Sequence, residues 1–132
     1  MKSLNPTAIA PPFARYSHGV EIPPNARLLR CSGQLGLAAD GTVPPDPFDQ
    51  AVICFNNIRA ILAEGDMTPE HVFHVSAFVT DRAHLPGYMR ARDAFLADRP
   101  EDSLSTSTLL IVSGFTREEF KVEVEVWAAA SP

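Results

Sequence analysis

Phe48, Val52, Phe55, Ile58 and Leu62 recur at spacings of three and four, which lays one apolar stripe along a helix. Asp46 can cap that helix, Pro47 suits its first position and Gly65 closes it. A helix with one apolar side must rest on another apolar surface, and here strands supply it. Val72–Thr80 alternates, with Phe73, Val75, Ala77 and Val79 on one face and His74, Ser76 and Phe78 on the other. A second helix is expected after Asp81 and His84, with Leu85, Tyr88, Phe95 and Leu96 inward and Arg90, Arg92 and Asp93 outward. Further on, Ser107, Leu109 and Ile111 oppose Thr106, Thr108, Leu110 and Val112, and Val122, Val124 and Val126 oppose Lys121, Glu123, Glu125 and Trp127. Val20–Ile22 and Arg27–Leu35 flank Pro23-Pro24-Asn25, which predicts a hairpin, and Asp40-Gly41 predicts a turn. The order strands, helix, strand, helix, strand, strand predicts an α+β two-layer sandwich with both helices on one sheet face. At 132 residues, the expectation is one domain spanning residues 1–132.

Charge narrows the function classes. A net charge of -5 and a pI of about 5.2, with no Lys/Arg run longer than two, argue against a nucleic-acid partner. Cys31 and Cys54 both lie in apolar patterns, which predicts buried free thiols rather than a disulfide or metal site. Met1–Ala14 carries one lysine, three prolines and no long apolar run, unlike a signal peptide or membrane anchor, so the default expectation is cytoplasmic. His71, His74 and His84 lack ligand-like spacing with any Cys, Asp or Glu cluster, and no metal is expected. No Gly-rich phosphate loop, nucleophile elbow or Cys-His arrangement is present.

The sheet face turned from the helices is the informative one. By alternation it holds Leu28, Phe78, Leu110, Val112 and Trp127 among the polar groups His18, Arg30, Ser32, His74, Ser76, Thr106, Thr108 and Glu123. Antiparallel sheets often leave one face in water. Here the large apolar groups are too many for that, and such patches mark interfaces. At ~25 cal/mol per Å2, covering even a few contributes several kcal/mol. This face is expected to line a subunit interface.

Tyr16-Ser17-His18-Gly19-Val20, Cys31-Ser32-Gly33-Gln34-Leu35-Gly36 and the Val122–Trp127 strand resemble the RidA (YjgF-type) family, over a span from about Phe13 to Ala128. The resemblance implies a chorismate-mutase-like α+β fold with a mixed sheet. It also implies a homotrimer with a small-molecule substrate or ligand in clefts between subunits, and no cofactor. The best-studied branch hydrolyses reactive enamines and imines. By the same resemblance Tyr16, Ser32 and Glu123 would be catalytic, Gly33 would bind substrate through its backbone, and Thr106 would occupy a substrate-binding position. Such chemistry needs a held water, a group to take its proton and donors to fix the substrate; a partly buried carboxylate such as Glu123 suits the second role. Plainer readings stand beside these: a strand carboxylate paired with Lys121 for Glu123, a locally satisfied interface tyrosine for Tyr16, and a backbone-bonded strand-end hydroxyl for Ser32.

One position departs from the pattern. Thr106 stands where deaminating members carry an arginine that grips the substrate carboxylate by a charge-assisted pair worth roughly 1.5–3 kcal/mol. The family cysteine reads Thr108, and an asparagine of the second helix falls on Met89. Arg30, on the same strand face as Ser32, could supply a replacement charge, or form an ion pair at an interface. His18, two residues from Tyr16, could shuttle a proton if near Glu123, or be a packed histidine. The leading expectation is a RidA-like hydrolase acting on an enamine or imine other than 2-aminoacrylate. The alternative is a small-ligand-binding or sensing trimer that keeps the cleft without deaminating. Deamination of ring-cleavage products such as aminomuconate stays open, and the ribonuclease label of some relatives fits the acidic balance least.

Overall fold

The structure is a computed structural model and describes residues 1–132. The strands are β1 (Lys2–Leu4), β2 (Gly19–Glu21), β3 (Arg27–Leu35), β4 (Val72–Val79), β5 (Thr106–Ile111) and β6 (Val122–Ala130). The helices are α1 (Pro47–Glu64) and α2 (Leu85–Phe95). The main sheet has the order β3-β6-β4-β5; β4 and β5 run parallel and the other pairs antiparallel. Both helices pack on one face of this mixed sheet, as their patterning predicts.

Helix α1 starts where the sequence says: Asp46 Oδ1 accepts the Phe48 N–H at 2.8 Å, Pro47 opens the first turn and Gly65 caps the end. Its core side is centred on Ala51, Cys54, Phe55, Ile58 and Leu62, with Phe48 and Val52 half-buried at its margin. Across from it stand Val75, Ala77 and Val79 of β4 and Val122, Val124 and Val126 of β6, all essentially closed to solvent. Both cysteines are free and buried; burial pushes the Cys54 thiol up to about 12, with the Glu123 charge adding to it.

Gln50, fully buried in the first turn of α1, ties this layer to the root of β6. Its amide nitrogen donates to Pro44 O and Glu119 O, both at 2.8 Å, and its Oε1 accepts the Lys121 N–H at 2.9 Å. Every polar atom is matched, as burial requires. Gly36 permits the approach, since a Cβ there would lie 2.5 Å from Gln50 Cγ. A second staple is Arg99, buried, whose guanidinium donates to the carbonyls of Pro69, Val72 and Ser103.

Three expectations need correction. The turn at Pro23–Ala26 forms, with Asn25 at φ 65°, yet its flanking strands do not pair with each other. Strand β2 pairs with β1 in a separate two-stranded sheet, and β3 pairs with β6. Phe73 does not join the Val75 side: an irregularity between Val72 and His74 shifts the register, and Phe73 meets Trp127 with ring centroids 6.4 Å apart. Arg92 is buried rather than outward. It lies four residues after Tyr88, hence on the same helix side, and its guanidinium pairs with Asp93 at 3.0 Å.

Candidate functional site

Strand register lays the second sheet face out in rows. One row runs Arg30, Trp127, His74, Thr106 from β3 to β5; the next holds Glu125, Ser76 and Thr108; a third holds Leu35, Glu123, Phe78 and Leu110. Leu28 and Leu110 are more than half exposed or nearly so, at 59% and 50%. Phe78, Val112 and Trp127 are half-buried within the chain, which leaves Leu28 and Leu110 as the exposed apolar groups of this face.

At the β3–β6 flank, Ser32 and Gly33 form a bulge between Cys31 and Gln34. Ser32 is exposed there, and its carbonyl accepts the Gln34 side-chain N–H at 3.1 Å. The bulge brings the Gly33 backbone against the Glu123 carboxylate: a Cβ at position 33 would lie 2.7 Å from Glu123 Cδ. A side chain at position 33 would push the carboxylate away from the main chain. Burial raises the Glu123 pKa, and the Glu125 charge raises it further; Lys121 is not its partner, because Lys121 Nζ donates to Pro45 O at 2.6 Å. Arg30 is held by Glu125 at 3.3 Å and lies 5.2 Å from the Trp127 ring centroid.

The β5 flank carries the other candidates. Ser17 N donates to Ser105 O at 2.9 Å, which fastens Tyr16 and His18 beside the start of β5. The Tyr16 ring makes edge contacts with Phe13 and His18, at 5.6 and 5.9 Å. His18 serves the amino-terminal loop: its Nε2 donates to Ala10 O at 2.7 Å and its main-chain N–H donates to Asn5 Oδ1 at 2.8 Å. Thr106 Oγ1 donates to Phe73 O at 3.0 Å, so it accepts from His74 Nδ1 at 2.6 Å. His74 Nε2 then accepts the Ser76 hydroxyl at 2.9 Å. Burial lowers the His74 pKa, against the opposing pull of Glu125, which favours this neutral tautomer.

The two flanks are apart. Thr106 and Glu123 are separated by two strand spacings and four residues along β6, roughly 16 Å in all. One chain therefore brings together Gly33, Ser32 and Glu123, and separately Tyr16, His18 and Thr106, but not the two groups. Next to Thr106, an open bowl of about 480 Å3 is walled by Val20, Ile22, Leu28, Phe73 and Trp127. Sequence reasoning put Glu125 on the Glu123 and Trp127 side of its strand but gave it no part in the site. No three His, Cys, Asp or Glu side chains gather as a metal set, and no helix is long and apolar enough to cross a membrane.

The family model described as Endoribonuclease L-PSP matches residues 7–130. The chain belongs to that family, the Rid/YjgF group. It is 37% identical to the RutC family protein YjgH of Escherichia coli over 111 residues, covering 83% of this chain and 80% of YjgH. Among solved structures, the Rid family protein YyfB from Yersinia pestis superposes with a TM-score of 0.83 at 24% identity, over 98% of each chain. The YjgF gene product of E. coli superposes with a TM-score of 0.71 at 20% identity, also over 98% of each chain. At those identities the two structures establish the shared fold. Within this Rid-type fold, Thr106 opens β5 with its hydroxyl committed to Phe73 and His74.

Proposed function

We propose that this chain is a Rid-type hydrolase of the cytoplasm that deaminates a small reactive enamine or imine other than 2-aminoacrylate. It works as a homotrimer in which the β5 flank of one copy meets the β3–β6 flank of the next. The observation that carries the reading is Glu123, a carboxylate of raised pKa set against the Gly33 main chain with no cation on it. A group so placed can take a proton from water near neutrality. Water adds to the C=N carbon of the protonated imine as Glu123 accepts one of its protons, giving a carbinolamine. That proton returns to nitrogen, and ammonia then leaves as Glu123 takes the hydroxyl proton, which gives the carbonyl compound. Ser32 and the Gly33 N–H fix the substrate from the Glu123 side, and Tyr16 closes the site from the neighbouring copy.

The test is ammonia release from imines made in situ by an oxidase, compared with the spontaneous rate. Acceleration that disappears in Glu123→Gln and drops in Tyr16→Phe supports the assignment; acceleration untouched by both refutes it. The second reading, a ligand-binding trimer without deaminase activity, is favoured by the committed Thr106 hydroxyl. It would show as saturable ligand binding with no acceleration for any imine, and as deaminase activity that appears only in Thr106→Arg.

A further inference from the structure

Resting on the hydrolase reading above, a narrower conclusion concerns what the substrate carries next to its C=N carbon. A carboxylate there would need a cation or free hydrogen-bond donors, since an ionised group taken from water without partners costs several kcal/mol. The Thr106 hydroxyl offers neither. The Thr106 proton goes to Phe73 O, and its oxygen is filled by His74 Nδ1–H. The remaining nitrogen of His74 holds the Ser76 hydroxyl. Arg30 is tied to Glu125, and Arg15, next to Tyr16, is tied to Glu101 Oε1 at 3.0 Å. Glu123 and Glu125 add negative charge to the same face. What Thr106 does adjoin is the bowl of about 480 Å3, which it lines with Val20, Ile22, Leu28, Phe73, His74 and Trp127. That volume lies within the usual range of small-molecule sites.

We propose that the substrate is an uncharged imine or enamine whose aryl or branched alkyl substituent lies in this bowl against Trp127 and Phe73. Such compounds arise from oxidation of amines that lack a carboxylate. The reaction that supplies the substrate is therefore amine oxidation rather than amino-acid dehydration or oxidation.

The chain has one tryptophan, and it lines the bowl, so its emission reports occupancy. Titration of the native protein with 4-phenylbutan-2-one and with 2-oxo-4-phenylbutyrate compares two carbonyl compounds that differ only in methyl against carboxylate. The ketone is expected to bind at least about tenfold more tightly, with Thr106→Arg shifting the preference toward the oxo acid. Equal or tighter binding of the oxo acid by the native protein, or no saturable response to the ketone, overturns the proposal. Ammonia release from the imines of 3-phenylpropylamine and of homophenylalanine, each made by the matching oxidase, separates this claim from the one beneath it. Acceleration confined to the homophenylalanine imine refutes the neutral substrate and keeps the hydrolase. Ketone selectivity with acceleration of neither imine keeps the bowl as a neutral-ligand site and removes the hydrolase.

Discussion

The two faces of the main sheet are built from the same strands with the same alternation, and they end in opposite conditions. Toward the helices, Val75, Ala77, Val79, Val122, Val124 and Val126 are sealed within the hydrophobic core. Toward the open side, Trp127, Phe78, Leu110 and Leu28 are interleaved with Arg30, Glu123, Glu125, His74 and Ser76. The first face is finished within one chain. The second mixes large apolar side chains with charged ones and leaves Leu28 and Leu110 exposed. On the function proposed above, stability resides on one side of the sheet and recognition on the other.

The sharpest way to break this contrast is a pair of matched substitutions. Val124→Asp puts a carboxylate into the sealed side and should leave no cooperative unfolding transition, a loss of more than about 4 kcal/mol. Leu110→Asp puts the same group on the open side and should keep the far-UV circular dichroism while the sedimenting mass falls to one chain. If the two behave alike, the division between faces is wrong. Next in size, Ile58→Ala, at a fully buried position, should cost about 3 kcal/mol in urea unfolding. Glu123→Gln should lower imine hydrolysis about a hundredfold without lowering the melting temperature, because the ionised carboxylate is disfavoured where it sits.

The smallest effect is in the pH profile, and its sign follows from the two displaced groups. His74 holds its proton less well in the fold than in the unfolded chain, so stability falls as pH drops below about 6.5. Glu123 holds its proton better in the fold, so its contribution declines as pH rises past 4.5. Just above pH 4.5 the two slopes oppose each other, so in Glu123→Gln the melting temperature should rise more steeply with pH there than in the native protein. An unchanged slope would remove Glu123 as a contributor.

How far the sequence could be read depended on the range of the interaction. Helix α1 was legible because Asp46, Pro47 and the apolar stripe all act within a few residues. The valine alternation in β6 was legible for the same reason. The hairpin failed because strand β1, only Lys2–Leu4, carries no alternation and competes for β2 through tertiary packing. Phe73 was assigned to the wrong side because one bulge reverses a period of two. In the site, the Ser32-Gly33 turn and Glu123 were visible as segments. The bond from His74 to Thr106 was not, since it depends on the parallel register of β4 with β5, set across helix α2.

Gln50 links the sealed layer to the strand that carries Glu123. Its amide grips the main chain at Glu119 and Lys121, the last residues before the segment that ends in Glu123. The helix turn and the carboxylate are coupled as two ends of a short lever. Gln50→Glu, which alters no exposed atom, would turn both donated bonds into repulsions and tilt the strand that carries Glu123.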